Sequence, residues 1–395
     1  MRRSCRRTAL TVCLGCWAVS ATGCGGTIRD TDRQAPSTSR SPDYYVSPKG
    51  NDRHDGSRRR PWRTIARAAA QVGPGSTVHV AAGRYVGSVL LHADGEPGRP
   101  IRFASDTRWG ARITASASGP VGIVRIAGDY VEFAGFDVSG RGGDGTVGIL
   151  VSGSHDRVTG NDVHDVVVAC GGPNGGGGIV AGGGTPDYRN HDIDVVGNLV
   201  HDVVGTPTQR CPGVQGIYAS VPRVRIVNNV SYRNGDGCIT SWHAASRLTI
   251  VNNTVLDCAT GIAVGSGGPG AGAGNIGTTV ANNIVSRCGA GIAETTDGEH
   301  RVGPGNRYLK NLVFRSGNVG WLSGRASSDG AAVSGTIAAD PQLMGSQADY
   351  RPTAASPAID AGVGTGAPRS DFDGVRRPQG RRVDIGAFEW RGSSP

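Results

Sequence analysis

The chain has 395 residues but only two lysines, Lys49 and Lys310, two methionines and 5% aromatic side chains. It lacks any apolar run long enough to span a bilayer; the longest, Ala9 to Val19, is too short. Beyond Cys24 it has no C-x-x-C pair and no paired Cys/His spacing, which argues against a zinc site. The Gly-rich runs Gly171–Gly177 and Gly265–Gly274 have no P-loop lysine and no helix signal after them, so they read as insertion loops rather than phosphate cradles. Helical periodicity is missing through the middle of the chain, which excludes an α-solenoid. Arginine carries almost all of the positive charge, a bias read as compositional. Net charge is +9, or +5 once Arg2, Arg3, Arg6 and Arg7 are set aside with the N-terminal segment. That balance permits an acidic polysaccharide partner without demanding one, and no nucleic-acid partner is expected.

Glycine, in contrast, is abundant at 65 residues, with no collagen period. It recurs in a coil unit of Gly-Ile, a turn, an apolar stretch and Asn-Asn-x-Val. The unit reads Gly216-Ile217 to Asn228-Asn229, Cys238-Ile239 to Asn252-Asn253 and Gly261-Ile262 to Asn282-Asn283. Looser copies end at Asn161, Asn198 and Asn311. Self-similarity on this scale marks a solenoid, and short β-branched strands between Gly/Asn turns make it a β solenoid. Alternation along each strand points Ile217, Ile226, Ile239, Ile250, Ile262 and Ile292 into the bore. Asn accepts the left-handed backbone of a sharp corner, and its amide can bond the Asn of the next coil. Asn161, Asn198, Asn229, Asn253, Asn283 and Asn311 are therefore expected to stack as an internal ladder. The expected fold is all-β: a right-handed parallel β-helix with a short N-terminal capping helix and a C-terminal plug. A β-propeller is the alternative, with longer and more regular blades.

The ends divide the chain further. Residues 1–24 read as an export signal, with a positive start, a short apolar core and Ser20-Ala21-Thr22-Gly23-Cys24, which resembles a bacterial lipobox. On that reading Cys24 is lipidated and anchors the protein to a membrane; an ordinary secretory signal is the alternative. Residues 25–42 read as a flexible tether, 43–106 as cap and first coils, 107–340 as repeats and 341–395 as the C-terminal cap. Export allows disulfides. Cys258 and Cys288 each lie five residues after their ladder Asn and are expected to stack and bond. Cys170 and Cys211 form a second candidate pair, and Cys238 is left as a buried thiol.

Pro61-Trp62-Arg63-Thr64-Ile65 is read as opening a short helix with Ile65, Ala69 and Val72 on its apolar face, blocking the open edge of the first coil. With Tyr44-Tyr45-Val46-Ser47-Pro48 and Gly83-Arg84-Tyr85, this segment resembles the DUF1565-like N-terminal cap of exported β-helix proteins of the pectate-lyase-like superfamily. Ser356-Pro357-Ala358-Ile359-Asp360, Asp371-Phe372-Asp373-Gly374 and Val383-Asp384-Ile385-Gly386 resemble the choice-of-anchor Q region that ends many bacterial surface β-helix proteins. The resemblances imply fold and surface location, and they imply activity only weakly.

Chemistry is expected where the sheet opening at each Gly-Ile turns its second and fourth residues outward. These are Tyr218 and Ser220, Thr240 and Trp242, Ala263 and Gly265, Ala293 and Thr295. Tyr218 and Trp242 would offer a platform for a sugar ring. His243, Glu294 and Asp297 are the candidate catalytic residues, and Glu299 and His300 join Tyr218 and Trp242 as candidate substrate contacts. Alternation itself puts Glu294 inward or at a strand end. A second feature is the aligned pair His164-Asp165 and His201-Asp202, read as a surface turn rather than a metal site. The lyases that the fold resembles use a Lys or Arg base and often Ca²⁺ held by carboxylates. No dense Asp cluster is visible, and Lys310 is the one lysine within the coils. Three readings stay open: a lyase-like enzyme with Ca²⁺ as its cofactor, a glycosidase using paired carboxylates, and a non-catalytic glycan-binding or structural module. All three take polysaccharide as the partner and a monomer as the state.

Overall fold

The computed structural model describes residues 42–117, 122–143, 146–170, 175–183, 188–207, 212–317, 330–345 and 349–392. Short parallel strands stack into three sheets that enclose one bore. Sheet I has eleven strands from Asp43–Val46 to Ala332–Ser334, sheet II ten from Gly83–Val86 to Leu312–Phe314, and sheet III eight from Val89–Leu91 to Ala290–Thr296. One coil runs Arg225–Val227 in sheet I, Val230–Tyr232 in sheet II and Gly237–Ser241 in sheet III. The next coil repeats it in register, as Ile226 pairs with Ile250, Ser231 with Val255 and Ile239 with Ile262. The expected inward isoleucines are all buried.

The corner between sheets I and II carries the asparagine ladder. Each ladder amide donates to the side-chain oxygen of the next, from Asn161 to Asn198 (3.1 Å), Asn229 (3.0 Å), Asn253 (3.0 Å), Asn283 (2.9 Å) and Asn311 (2.9 Å). The same oxygens also accept the preceding backbone N–H, so no buried polar atom of the corner is left over. The two tasks expected of one asparagine are divided between neighbours. Positive φ falls on the residue before the ladder: Gly160, Gly197, Asn228, Asn252 and Asn282. That first residue points outward, which frees the second to stack inside.

At the N-terminal end the helix spans only Ile65–Ala69 and starts later than Pro61. Thr64 caps it by accepting from the Arg67 N–H, and Asp52 holds Thr64 by its backbone and hydroxyl. Ile65, Ala69 and Val72 are buried over the first coil as expected.

The C-terminal region differs from the expected plug. Its chain bonds outward-facing asparagines of three successive coils: Ser370 carbonyl to Asn228, Asp384 and Gly386 carbonyls to Asn252, and Val363 to Asn282. Phe388, Ala387 and Tyr350 cover Val230, Tyr232 and Leu256 of sheet II, and Ile385 covers Ile284 and Leu312. It is a strap along one flank, held internally by a fully buried Arg377–Glu389 ion pair at 2.7 Å. The reason is that asparagines freed from the ladder offer hydrogen bonds on the flank, where three coils present them in line.

The cysteine expectation is also corrected. Cys238 is disulfide-bonded to Cys258, with Cα atoms 5.8 Å apart, and Cys288 is a buried free thiol. Cys258 and Cys288 do occupy equivalent corners, and each sulfur points at the carbonyl two residues before it, so the two side chains run parallel instead of converging. Cys238 approaches Cys258 from the start of the sheet III strand. Burial pushes the Cys288 thiol up to about 11. Cys170 is disulfide-bonded, while Cys211, its expected partner, lies outside the described residues, as does Cys24.

The His164 and His201 rings stack at 5.3 Å as their register requires, and Tyr232 continues the stack at 4.8 Å. Each ring bridges two carboxylates: His164 those of Asp137 and Asp165, His201 those of Asp162 and Asp202. The hydrogen bond to Asp137 leads in raising His164 to about 9. Each ring is held between two acids, which favours its cationic form, in the surface turn expected. The neighbouring row alternates in charge, with Arg233 on Asp202 and Arg287 on Asp257.

Candidate functional site

Sheet III has one face on the bore and one free. Two rows cross the coils here: Leu150, Val180, Tyr218, Thr240, Ala263 and Ala293, set outward by strand alternation, and Val147, Gln215, Gly237, Thr260 and Ala290, three residues earlier, where the pairing skips a residue and the alternation is broken. These rows floor a groove of about 870 Å³. Its floor descends from Leu150, Val180 and Tyr218 to Thr240, Ala263 and Ala293. Gly175, Pro212, Gly213 and Asp236 bound one side, and Tyr188, Trp242 and His243 bound the other. The five residues of Gly237–Ser241 separate the sides by about 13 Å.

The aromatic side is built on glycine. Trp242 follows its strand and lies over the next coil, where a Cβ on Gly265 or Gly267 would sit 2.6 or 2.3 Å from the indole. A Cβ on Gly270 would sit 2.5 Å from the Tyr188 ring. The Gly-rich run after Gly265 is thus a seat for rings. Tyr188 stacks on His243 at 4.4 Å, and Tyr218 meets the same imidazole edge-on at 6.5 Å. Nδ1 of His243 lies 3.1 Å from the Pro269 carbonyl, which only accepts, so that nitrogen donates and Nε2 keeps its lone pair. Burial lowers the His243 pKa, keeping the ring neutral at neutral pH. Burial also pushes the Tyr218 phenol well above its usual range.

Tyr218, Trp242 and His243 come together as the sequence suggested. Glu294, Asp297, Glu299 and His300 do not join them. Glu294 is fully buried in the bore, where Oε1 accepts from the Tyr308 hydroxyl at 2.6 Å and from Asn306. Burial raises its pKa. Asp297 accepts backbone N–H groups from Gly268, Glu299 and His300 and pairs with the His300 ring at 2.8 Å. These bonds, the Gly268 one foremost, hold its carboxyl well below the usual carboxylate range, so it is a brace behind Trp242 and no proton donor. Glu299 is exposed on the same turn and, like His300, is not part of the groove lining. Strand alternation sends Glu294 inside and the following turn carries the others past the wall.

No pair of carboxylates for glycoside cleavage faces the groove among the described residues. Among the described residues its one carboxylate, Asp236, accepts the Gly213 N–H, and neither Lys nor Arg lines it. Ca²⁺ needs several oxygen ligands, and a lone occupied carboxylate does not fit that demand. Tyr188 was not legible beforehand: it stands in an insertion with no counterpart in other coils, and its being the one aromatic there was the available signal.

A sequence model described as right-handed β-helix region matches residues 122–328, just over half of the chain. Another, described as a protein of unknown function (DUF1565), matches residues 48–89. The uncharacterised protein YwoF of Bacillus subtilis (strain 168) is 31% identical over 134 residues, which is 31% of this chain. The match spans only 29% of that relative's length. Among solved structures, pectate lyase Pel9A superposes with a TM-score of 0.53 at 17% identity, over 89% of this chain and 97% of that one. A rhamnogalacturonan lyase superposes with a TM-score of 0.47 at 16% identity, over 70% of this chain and 74% of the other. At 17% identity the likeness to Pel9A is one of fold.

Proposed function

The chain belongs to the right-handed β-helix family, and from that premise we propose that it binds a polysaccharide along the free face of sheet III without cleaving it. The carrying observation is the wall of Tyr188, Trp242 and His243 beside a floor of small side chains. A ring wall over a shallow polar floor suits the flat apolar face of a sugar, with hydroxyls reaching Gln215, Thr240, Thr260 and Thr295. The scarcity of charge among the described lining residues favours a neutral glycan over a uronate. Export with a lipid on Cys24 belongs to the same proposal: it would bring the groove to glycans outside the membrane, and the Cys238–Cys258 disulfide supports an oxidising compartment.

The test is retention of the chain on insoluble neutral and acidic polysaccharides, with soluble chains as competitors. Trp242→Ala should weaken binding by about 30-fold, the usual cost of losing an interfacial Trp of about 2 kcal/mol. No retention on any polysaccharide, or retention equal in Trp242→Ala, would overturn the reading. A second reading, proton abstraction by the neutral Nε2 of His243, is favoured by the Pro269 bond. It predicts unsaturated product from a uronate that His243→Ala no longer releases.

A further inference from the structure

We infer that His155, His191 and Asp192 form a site for a transition-metal ion of the Zn²⁺ class, clipping two neighbouring coils at the root of the aromatic wall. This inference does not depend on the glycan reading.

The three residues occupy the corner between sheets III and I. His155 belongs to one coil and His191 and Asp192 to the next, joined by the His155 N–H donating to the His191 carbonyl at 3.1 Å. Their donor atoms all lie within 4.8 Å of one another. Oδ2 of Asp192 is 2.9 Å from Nδ1 of His191 and 3.9 Å from Nδ1 of His155. A tetrahedral ion with bonds of about 2.0–2.1 Å sets donor–donor edges of about 3.3 Å, between those two separations. The His155–His191 edge, within 4.8 Å, closes by up to about 1.5 Å to admit the ion, and three protein ligands leave the fourth position for water. All three side chains are roughly a third exposed, which gives an ion a path from solvent.

The donors are held from behind. Tyr130 stacks on the His155 ring at 4.5 Å, and the His191 ring meets His155 edge-on at 5.1 Å. Arg223 grips Asp192 through Oδ1 at 2.8 Å and Oδ2 at 3.0 Å, fixing the carboxylate as an outer partner does in metal sites.

The contrast with the other histidine pair decides the chemistry. His164 and His201 each have two carboxylates, one at each ring nitrogen, so neither nitrogen is free for an ion. At His155 and His191 the ratio is reversed, because two imidazoles share one carboxylate. Such a set offers more imidazole nitrogens than carboxylate groups, the donor balance that borderline ions prefer. Two imidazoles with one carboxylate suit Zn²⁺, Ni²⁺ or Cu²⁺ and not Ca²⁺.

The location gives the ion a task. Tyr188 lies three residues before His191, and the intervening Asn190 donates its amide to the Ser152 and Gly153 carbonyls. An ion here would fix the segment that carries Tyr188 against His243.

The experiment uses the full, tag-free chain stripped with a chelator. It is titrated with Co²⁺ followed by visible absorbance and with Zn²⁺ by calorimetry. One equivalent of Zn²⁺ should bind, with intense tetrahedral Co²⁺ bands, and Ca²⁺ should not compete. His155→Gln and His191→Gln should each weaken Zn²⁺ by at least about tenfold, while His164→Gln leaves it unchanged. Circular dichroism checks that each variant is folded. Absence of stoichiometric Zn²⁺ binding to the unaltered chain overturns the site, as does binding that both variants retain; either result leaves Asp192 as the plain partner of Arg223.

Discussion

The asparagine corner and the free face of sheet III belong to the same coils and behave in opposite ways. At the corner every coil from Asn161 to Asn311 contributes one residue type with one pair of partners. On the free face the matching row runs Leu150, Val180, Tyr218, Thr240, Ala263, Ala293 and never settles. Uniformity at the corner follows from burial: each amide satisfies the coil above and the coil below, so any change leaves orphans in both. The free face satisfies nothing across coils and can be graded in height, which turns a stack of equivalent strands into a groove with a direction. Stability is concentrated in what repeats and recognition in what departs from the repeat.

Three substitutions probe that division. The largest effect is expected at the corner. Asn253→Ala orphans the Asn229 N–H and the Ile226 carbonyl, at about 1–3 kcal/mol each. Denaturant unfolding should show a loss of about 2–5 kcal/mol, while the folded variant still binds glycan. A smaller effect is expected on the free face. Gly267→Ala would bring a methyl 2.3 Å from the indole and 2.8 Å from Asp297 Oδ2, so Trp242 must tilt. Stability should fall by about 1–3 kcal/mol and glycan retention by up to about tenfold. Unchanged retention would show that the indole does not shape the wall. The smallest effect belongs to the stacked histidines of sheet II. His164 is raised from 6.5 to about 9 in the folded chain, led by its bond to Asp137. The stability it contributes is complete below pH 6.5 and is lost as pH rises toward 9. Its worth is on the order of 1–2 kcal/mol, since solvent screens the exposed Asp165. Melting curves between those pH values should fall in the native chain and flatten in His164→Gln.

The same division explains what was legible in the sequence. The isoleucines of the bore, the ladder and the stacked His164–His201 turn follow from alternation and register, and all three are found. The Trp242–His243 edge was also legible because it interrupts a repeat. The turn after Thr296 was not: whether Asp297 turns toward the groove or braces a loop depends on the Gly268 and His300 amides, which no periodicity encodes. The disulfide was not legible because stacking equivalence does not give sulfur proximity: equivalent side chains in a solenoid run parallel. The strap escaped because its anchors are outward asparagines of ordinary repeat pairs, contacted from 81 to 142 residues away.

That strap alters how the molecule should come apart. In a bare solenoid each coil touches only its neighbours, so the stack can fray from its end one rung at a time. Here a single crosspiece is fastened to the coils of Asn228, Asn252 and Asn282 at once. Peeling any of those rungs means lifting the crosspiece from the others, which converts gradual fraying into one concerted event. Because the strap can dock only on coils already wound, its contacts arrive late in folding, and late contacts govern the unfolding rate more than the folding rate. The feature is therefore expected to act as a kinetic lock, with faster unfolding and a nearly unchanged folding rate in Asn252→Ala.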